Sequence, residues 1–148
     1  MAVSGRIEQR ALYGVINMKN GWRLVVDLPR INASGFQIFI TQLRAQLKGR
    51  CIYMILDSAS AHTAKASIKL ANKLRVRLIF LPKQCPELNA MDHLWRNVKT
   101  NIAANYQYTT AVIQAQAAIT YIQTLNPKAA LKLAGIKSTE FWLKSFLK

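Results

Sequence analysis

Two unbroken apolar runs, CIYMIL at residues 51–56 and LIFL at residues 78–81, constrain this chain more than any other feature. A strand without polar alternation is expected to be covered on both faces, as in a parallel sheet. The roughly 20 residues between the runs suffice for a crossover, and AKASIKLANKL within them reads as its helix. Pro82 terminates the second run. Strand, helix, strand is the prediction, with both carboxyl ends at one sheet edge, where ligands of α/β proteins usually sit. Asp57 falls at the carboxyl end of the first strand.

Around this unit the chain punctuates itself. ALYGVIN and WRLVVDL flank MKNG, whose Asn20-Gly21 pair signals a turn, so the two runs predict a hairpin. ASGFQIFITQLRAQLKG places Phe36, Phe39, Ile40, Leu43 and Leu47 at helical spacing, and Gly49 stands where a helix would stop. PKQCPEL reads as a loop, and NAMDHLWRNVKTNIA as a helix with a buried stripe of Met91, Leu94, Trp95, Val98 and Ile102. TTAVIQAQAAITYIQTL, PKAALKLAG and STEFWLKSFLK continue as helices, with no repeat, low-complexity tract or linker. At 148 residues and 51% hydrophobic, the sequence excludes a disordered polycation and fits one domain with a real core.

Charge narrows the partners. Six acids (Glu8, Asp27, Asp57, Glu87, Asp92 and Glu140) stand against 21 Lys and Arg, giving a formal charge of +15. A surface dominated by one sign favours polyanions, and DNA is the expected partner. Two cysteines, Cys51 and Cys85, are too few for a disulfide framework and form no C-x-x-C pair. MAVSGRIEQR has no signal-peptide core and no apolar run approaches the ~18 residues of a membrane span, so an intracellular protein with no membrane partner is expected. The loop after LIFL delivers Asp92 to the first turn of the next helix, so Asp57 and Asp92 can lie at one edge and share a cation. Paired carboxylates in a basic chain suit Mg²⁺, which takes a few carboxylate oxygens and fills its shell with water and phosphate. Two such ions can activate a nucleophile and stabilise the leaving oxygen of a phosphodiester.

The stretch ILDSASAHTAKASIKLANKLRVRLIFLPKQCPELNAMDHLWRNVK resembles the core of bacterial insertion-sequence transposases related to the mariner elements, members of the DDE superfamily with an RNase H-like fold. The family pattern runs L-D-N-A-x-x-H and then L-P-P-Y-S-P-E-L-N-P-I-E-H-L-W. LDSASAH supplies Asp57 and His62, and LPKQCPELNAMDHLW supplies Asp92 at the final acid, with 34 residues between the two acids. Ser58 replaces the usual Asn, Ala90 the usual Pro, and Lys83-Gln84-Cys85 the usual Pro-Tyr-Ser. SGRIEQRALYGVIN resembles the family's preceding hairpin.

The resemblance implies an α/β, RNase H-like mixed sheet flanked by helices, with residues 1–105 a partial catalytic domain and 106–148 its helical C-terminal extension. It implies Asp57 and Asp92 as catalytic ligands of two Mg²⁺ or Mn²⁺ ions. The activity implied is DNA strand cleavage and transfer at transposon ends and target, in a nucleoid-associated cytoplasmic protein. The family's first catalytic Asp sits on a central strand before the hairpin and has no counterpart here; Asp27 and Glu8 do not match its position. The expectation is a C-terminal part of a transposase: a truncated remnant, or a second frame joined by frameshifting to an upstream transposase segment. A homodimer is the other expected assembly, and a non-catalytic, basic nucleic-acid-binding remnant is the competing function.

Each residue also has a plainer account. Asn89-x-x-Asp92 resembles a capping box, and an acid in a first helical turn is favoured by the helix dipole. Asp57 can begin an Asx turn. Glu87 is expected to be a solvated or loop-ordering acid. His62 and His93 are more often hydrogen-bonding or DNA-proximal residues than ligands, and no spacing supports a zinc site with the cysteines. Trp95 fits core packing. Arg96 and Lys99 can contact phosphate, but an Asp92 to Arg96 pair or a solvated face explains them equally.

Overall fold

A computed structural model describes residues 11–83, 88–103 and 111–136. Glu8, Cys85, Glu87, Thr109, Thr110 and Glu140, with the expected STEFWLKSFLK helix, lie outside the described residues. The chain forms two compact units, one of Leu28–Asn89 and one of Met1–Asp27 with Ala90–Lys148.

The Leu28–Asn89 unit contains the predicted crossover. Helix α1 (Ala33–Gln46) starts where the Asn32 side chain accepts from Gly35 N at 2.8 Å, and its apolar stripe buries Phe36, Phe39, Ile40 and Leu43. Strands β3 (Ile52–Leu56) and β4 (Val76–Phe80) pair in parallel, from Ile52 opposite Val76 to Leu56 opposite Phe80. The connection is a one-turn helix α2 (Ser60–Thr63) and a longer α3 (Lys65–Lys73), broken at Ala64, whose backbone is extended. Ser67, fully buried on α3, has its hydroxyl satisfied by Ala61 O of α2 at 2.8 Å.

Coverage on both faces is not what this sheet shows. Ile52, Leu56 and Val76 are buried, whereas Tyr53 is 63% and Ile79 45% exposed. Those two share the opposite face with Ile55 and the exposed Arg77. An unbroken apolar run therefore marks hydrophobic strands here without both faces being packed.

The amino ends of both strands are held by one guanidinium. Arg44, in the last turn of α1, donates through Nε to Leu74 O at 2.9 Å and through Nη2 to Arg75 O at 3.1 Å, just before β4. Its Nη1 reaches Leu47 O at 3.0 Å and Arg50 O at 2.8 Å, just before β3. Carbonyls at helix ends lack partners within their own helix, so this planar fork completes two helix ends at once.

In the other unit, β1 (Ala11–Ile16) and β2 (Arg23–Leu28) are hydrogen-bonded neighbours, though β2 runs one residue past the unit's edge. Their link is too short for a parallel crossover, so the pair is the expected hairpin. Its turn is built by asparagines: Asn17 Oδ1 accepts from Lys19 N and Asn20 N, and Asn20 Oδ1 from Trp22 N. Gly21 has φ +78, and a Cβ there would lie 2.6 Å from Pro127 O.

Helix α4 (Ala90–Val98) continues as a π-helical turn, Lys99–Ala103. Its Met91, Leu94 and Val98 pack with Val25 and with Ala118 and Ile122 of α5 (Ala111–Thr124). Trp95 packs against the same cluster, as expected, and a Cβ on Gly14 would meet its ring at 2.8 Å. The side chain of Ile102 lies outside the described set. Helix α6 (Pro127–Leu133), capped by Asn126, buries Ala130 and Leu131. Arg23 donates to Leu125 O at 2.6 Å, its Nε and Nη1 have no hydrogen-bond partner among the described residues, and burial lowers its pKa.

The Arg44 clamp makes a specific prediction. A lysine cannot span four carbonyls with one ammonium, so the substitution removes hydrogen bonds from a charged donor, two of them part-buried. Arg44→Lys is expected to lower unfolding stability by about 2 kcal/mol in denaturant melts, whereas a change within experimental error would show the clamp to be incidental.

Candidate active site at the carboxyl end of a parallel pair

Because β3 and β4 are parallel and in register, Leu56 and Phe80 end side by side. The pairing extends one step further, with Leu81 N donating to Leu56 O at 2.8 Å. Ser58 directs its hydroxyl to Leu81 O at 3.4 Å. The chain thus leaves both strands at one edge, as the crossover predicts, and Asp57 is the first residue beyond β3.

The two carboxylate oxygens of Asp57 have different surroundings. Oδ1 accepts from Ala59 N at 3.0 Å, the Asx turn that the sequence allowed. The same oxygen lies 2.9 Å from His62 Nδ1, which is also 3.1 Å from Asp57 O. Both atoms facing Nδ1 are acceptors, so Nδ1 must carry the proton. Oδ2 makes no hydrogen bond among the described residues, and the Asp57 side chain is 58% exposed. His62 is only 19% exposed, its ring tilted 50° against Phe36 with centroids 4.6 Å apart. A capping role and a ligand role for Asp57 can therefore use separate oxygens, and a carboxylate oxygen on an exposed side chain, without a hydrogen bond among the described residues, is a donor of the kind Mg²⁺ prefers.

Of the other expected site residues, Asp92 is half-buried in the first turn of α4, where the dipole favours a carboxylate. Arg96 is exposed in the last turn of α4, and Lys99 is exposed at the start of the π-helical turn. Asn97, between them, accepts from Tyr121 Oη at 2.6 Å, tying α4 to α5. Asp57 and His62 are thus brought into contact, while Asp92, Arg96 and Lys99 share a helical segment of the other unit. Among the described residues no three His, Cys, Asp or Glu side chains gather as a metal site. The part of this site that spacing did not reveal is Phe36, which seats His62 from a helix that precedes β3; nothing local in the sequence links them.

The mixed α/β fold presents an acid at the carboxyl edge of a parallel pair, the edge at which ligands of α/β proteins usually sit. Residues 1–112 match the profile of the DDE superfamily endonucleases, and the chain belongs to that family. In structure it is similar to the catalytic domain of Mos1 mariner transposase, with TM-score 0.64 and 12% identity over 85% of this chain and 74% of that one. The same catalytic domain solved with Raltegravir and Mg gives TM-score 0.68 and 14% identity, covering 84% of this chain and 68% of that one. Its counterpart with Raltegravir and Mn gives 0.67 and 13%, covering 85% and 74%. At these identities the likeness is one of fold, the RNase H-like α/β fold expected from the motifs. No curated protein matches the sequence. No helix among the described residues is long and apolar enough to cross a membrane.

The division of oxygens at Asp57 predicts a selective outcome. Asn keeps an oxygen to accept from Ala59 N, and Ala does not. Asp57→Asn is expected to melt close to the parent, and Asp57→Ala to lose about 1 kcal/mol in thermal or denaturant unfolding. Equal losses in both variants would contradict the turn's role.

Proposed function

We propose that this chain is the catalytic part of a DNA transposase in which Asp57 and Asp92 hold divalent ions for strand cleavage and strand transfer at transposon ends and target. The observation that carries this reading is Asp57 Oδ2, on an exposed side chain at the carboxyl edge of β3 and without a hydrogen bond among the described residues, in a chain of the DDE endonuclease family. When bound, Mg²⁺ or Mn²⁺ supplies the Lewis acidity for hydrolysing a phosphodiester and for attack by the freed 3′-hydroxyl. The chain's own residues bind and orient. Asp57 offers an oxygen fixed by its turn, Asp92 one anchored at a helix start, and Arg96 and Lys99 offer charge to phosphates on the same helical segment. In this reading residues 1–105 and the helical segment 106–148 work as one domain.

Charge supports the DNA partner. Lys65, Lys69 and Lys73 recur every fourth residue on α3, all exposed, on a helix with no acid. Like charges at that spacing weaken a helix, and a polyanion offsets the cost. This row equally suits the competing reading, a basic DNA-binding chain without catalysis.

Iron-mediated cleavage of the polypeptide separates the two. Fe²⁺ loaded in place of Mg²⁺, with ascorbate and peroxide, cuts backbone close to its site. Cuts clustered near both residue 57 and residue 92, suppressed by excess Mg²⁺, are the expected result. Absence of Mg²⁺-suppressible cuts would favour the non-catalytic reading, and cuts near only one acid would break the proposed pairing.

A further inference from the structure

We infer that His62 is a positioning residue for Asp57, one that turns the carboxylate so that Oδ2 is the oxygen presented to a cation. The inference rests on the reading of Asp57 as a metal ligand and adds to it a residue and an atom. Three observations carry it. Nδ1 sits 2.9 Å from Oδ1 and 3.1 Å from the Asp57 carbonyl, so a single N–H holds both the side chain and the backbone of the same residue. Oδ1 also accepts from Ala59 N, which leaves it two donors and little capacity for a cation. His62 is itself seated, mostly buried with its ring against Phe36, which is 2% exposed.

A free aspartate turns easily about its terminal torsion, which has a broad, two-fold profile. A carboxylate held on one oxygen by two donors loses that freedom before a cation arrives, so less ordering remains to oppose binding. Partners of this kind, one bond removed from the cation, typically change metal affinity by about 10- to 100-fold when removed.

Two substitutions divide the ring's functions. His62→Asn places an amide N–H near the position of Nδ1 but cannot cover Phe36 as the ring does. His62→Leu covers Phe36 without offering a donor. Mn²⁺ titrated into the ¹⁵N-labelled chain broadens the amide signals nearest its site, and a chain of net charge +15 offers few competing sites.

For the parent, broadening centred on residues 57–60 is expected. His62→Leu should require about 10-fold more Mn²⁺ for the same broadening, and His62→Asn should stay close to the parent. A purely structural role for the ring predicts the reverse order, and that order, or no difference between the variants, would overturn the inference. Asp57→Asn tests the underlying reading separately, because broadening that survives it would remove Asp57 as a ligand whatever His62 does. Should His62→Leu fail to fold, His62→Asn against His62→Gln decides, since Gln directs its amide to the position of Nε2 and is expected not to restore binding.

Discussion

The parallel register of β3 and β4 is the constraint on which the candidate site depends, and Arg44 is what fixes it from below. Four carbonyls from the end of α1, the lead-in to β3 and the lead-in to β4 converge on one guanidinium. A planar fork with five donors can satisfy such an arrangement. With the amino ends fixed side by side and five residue pairs in register, the carboxyl ends must also emerge side by side. Asp57 stands at that edge because the register carries both strand ends there, and Arg44 ties the opposite end.

At that edge, one side chain performs two tasks through different atoms. Oδ1 of Asp57 closes a turn and receives His62, while Oδ2 makes no hydrogen bond among the described residues. The turn and the ligand explanations suggested by the sequence compete only if the carboxylate is treated as a single group. Treated as two oxygens, the turn supplies the orientation that a ligand needs.

Much of this was legible in the chain. The apolar runs announced the paired strands, the Asn20-Gly21 pair the hairpin, and the stripe of Met91, Leu94 and Val98 the packed face of α4, because these features are set by residues close in sequence. The family was legible from LDSASAH and LPKQCPELNAMDHLW, whose residue types are tied to position. What sequence did not show depends on contacts between distant residues: the Arg44 clamp, the seating of His62 on Phe36, and the exposed face of Tyr53 and Ile79. The one-turn helix α2 was also hidden, since the expected helix began at Ala64 and corresponds to α3 alone. Asp57 and Asp92 were paired by the geometry expected of the crossover and by the motif, and they stand in different compact units.

The most direct measurement is the anomalous scattering of Mn²⁺ in crystals of this chain soaked with the ion. The account predicts a peak about 2.1 Å from Asp57 Oδ2, with Oδ1 still held by Ala59 N and His62 Nδ1. A peak on Oδ1, on a nitrogen of His62, or nowhere near Asp57 would contradict it.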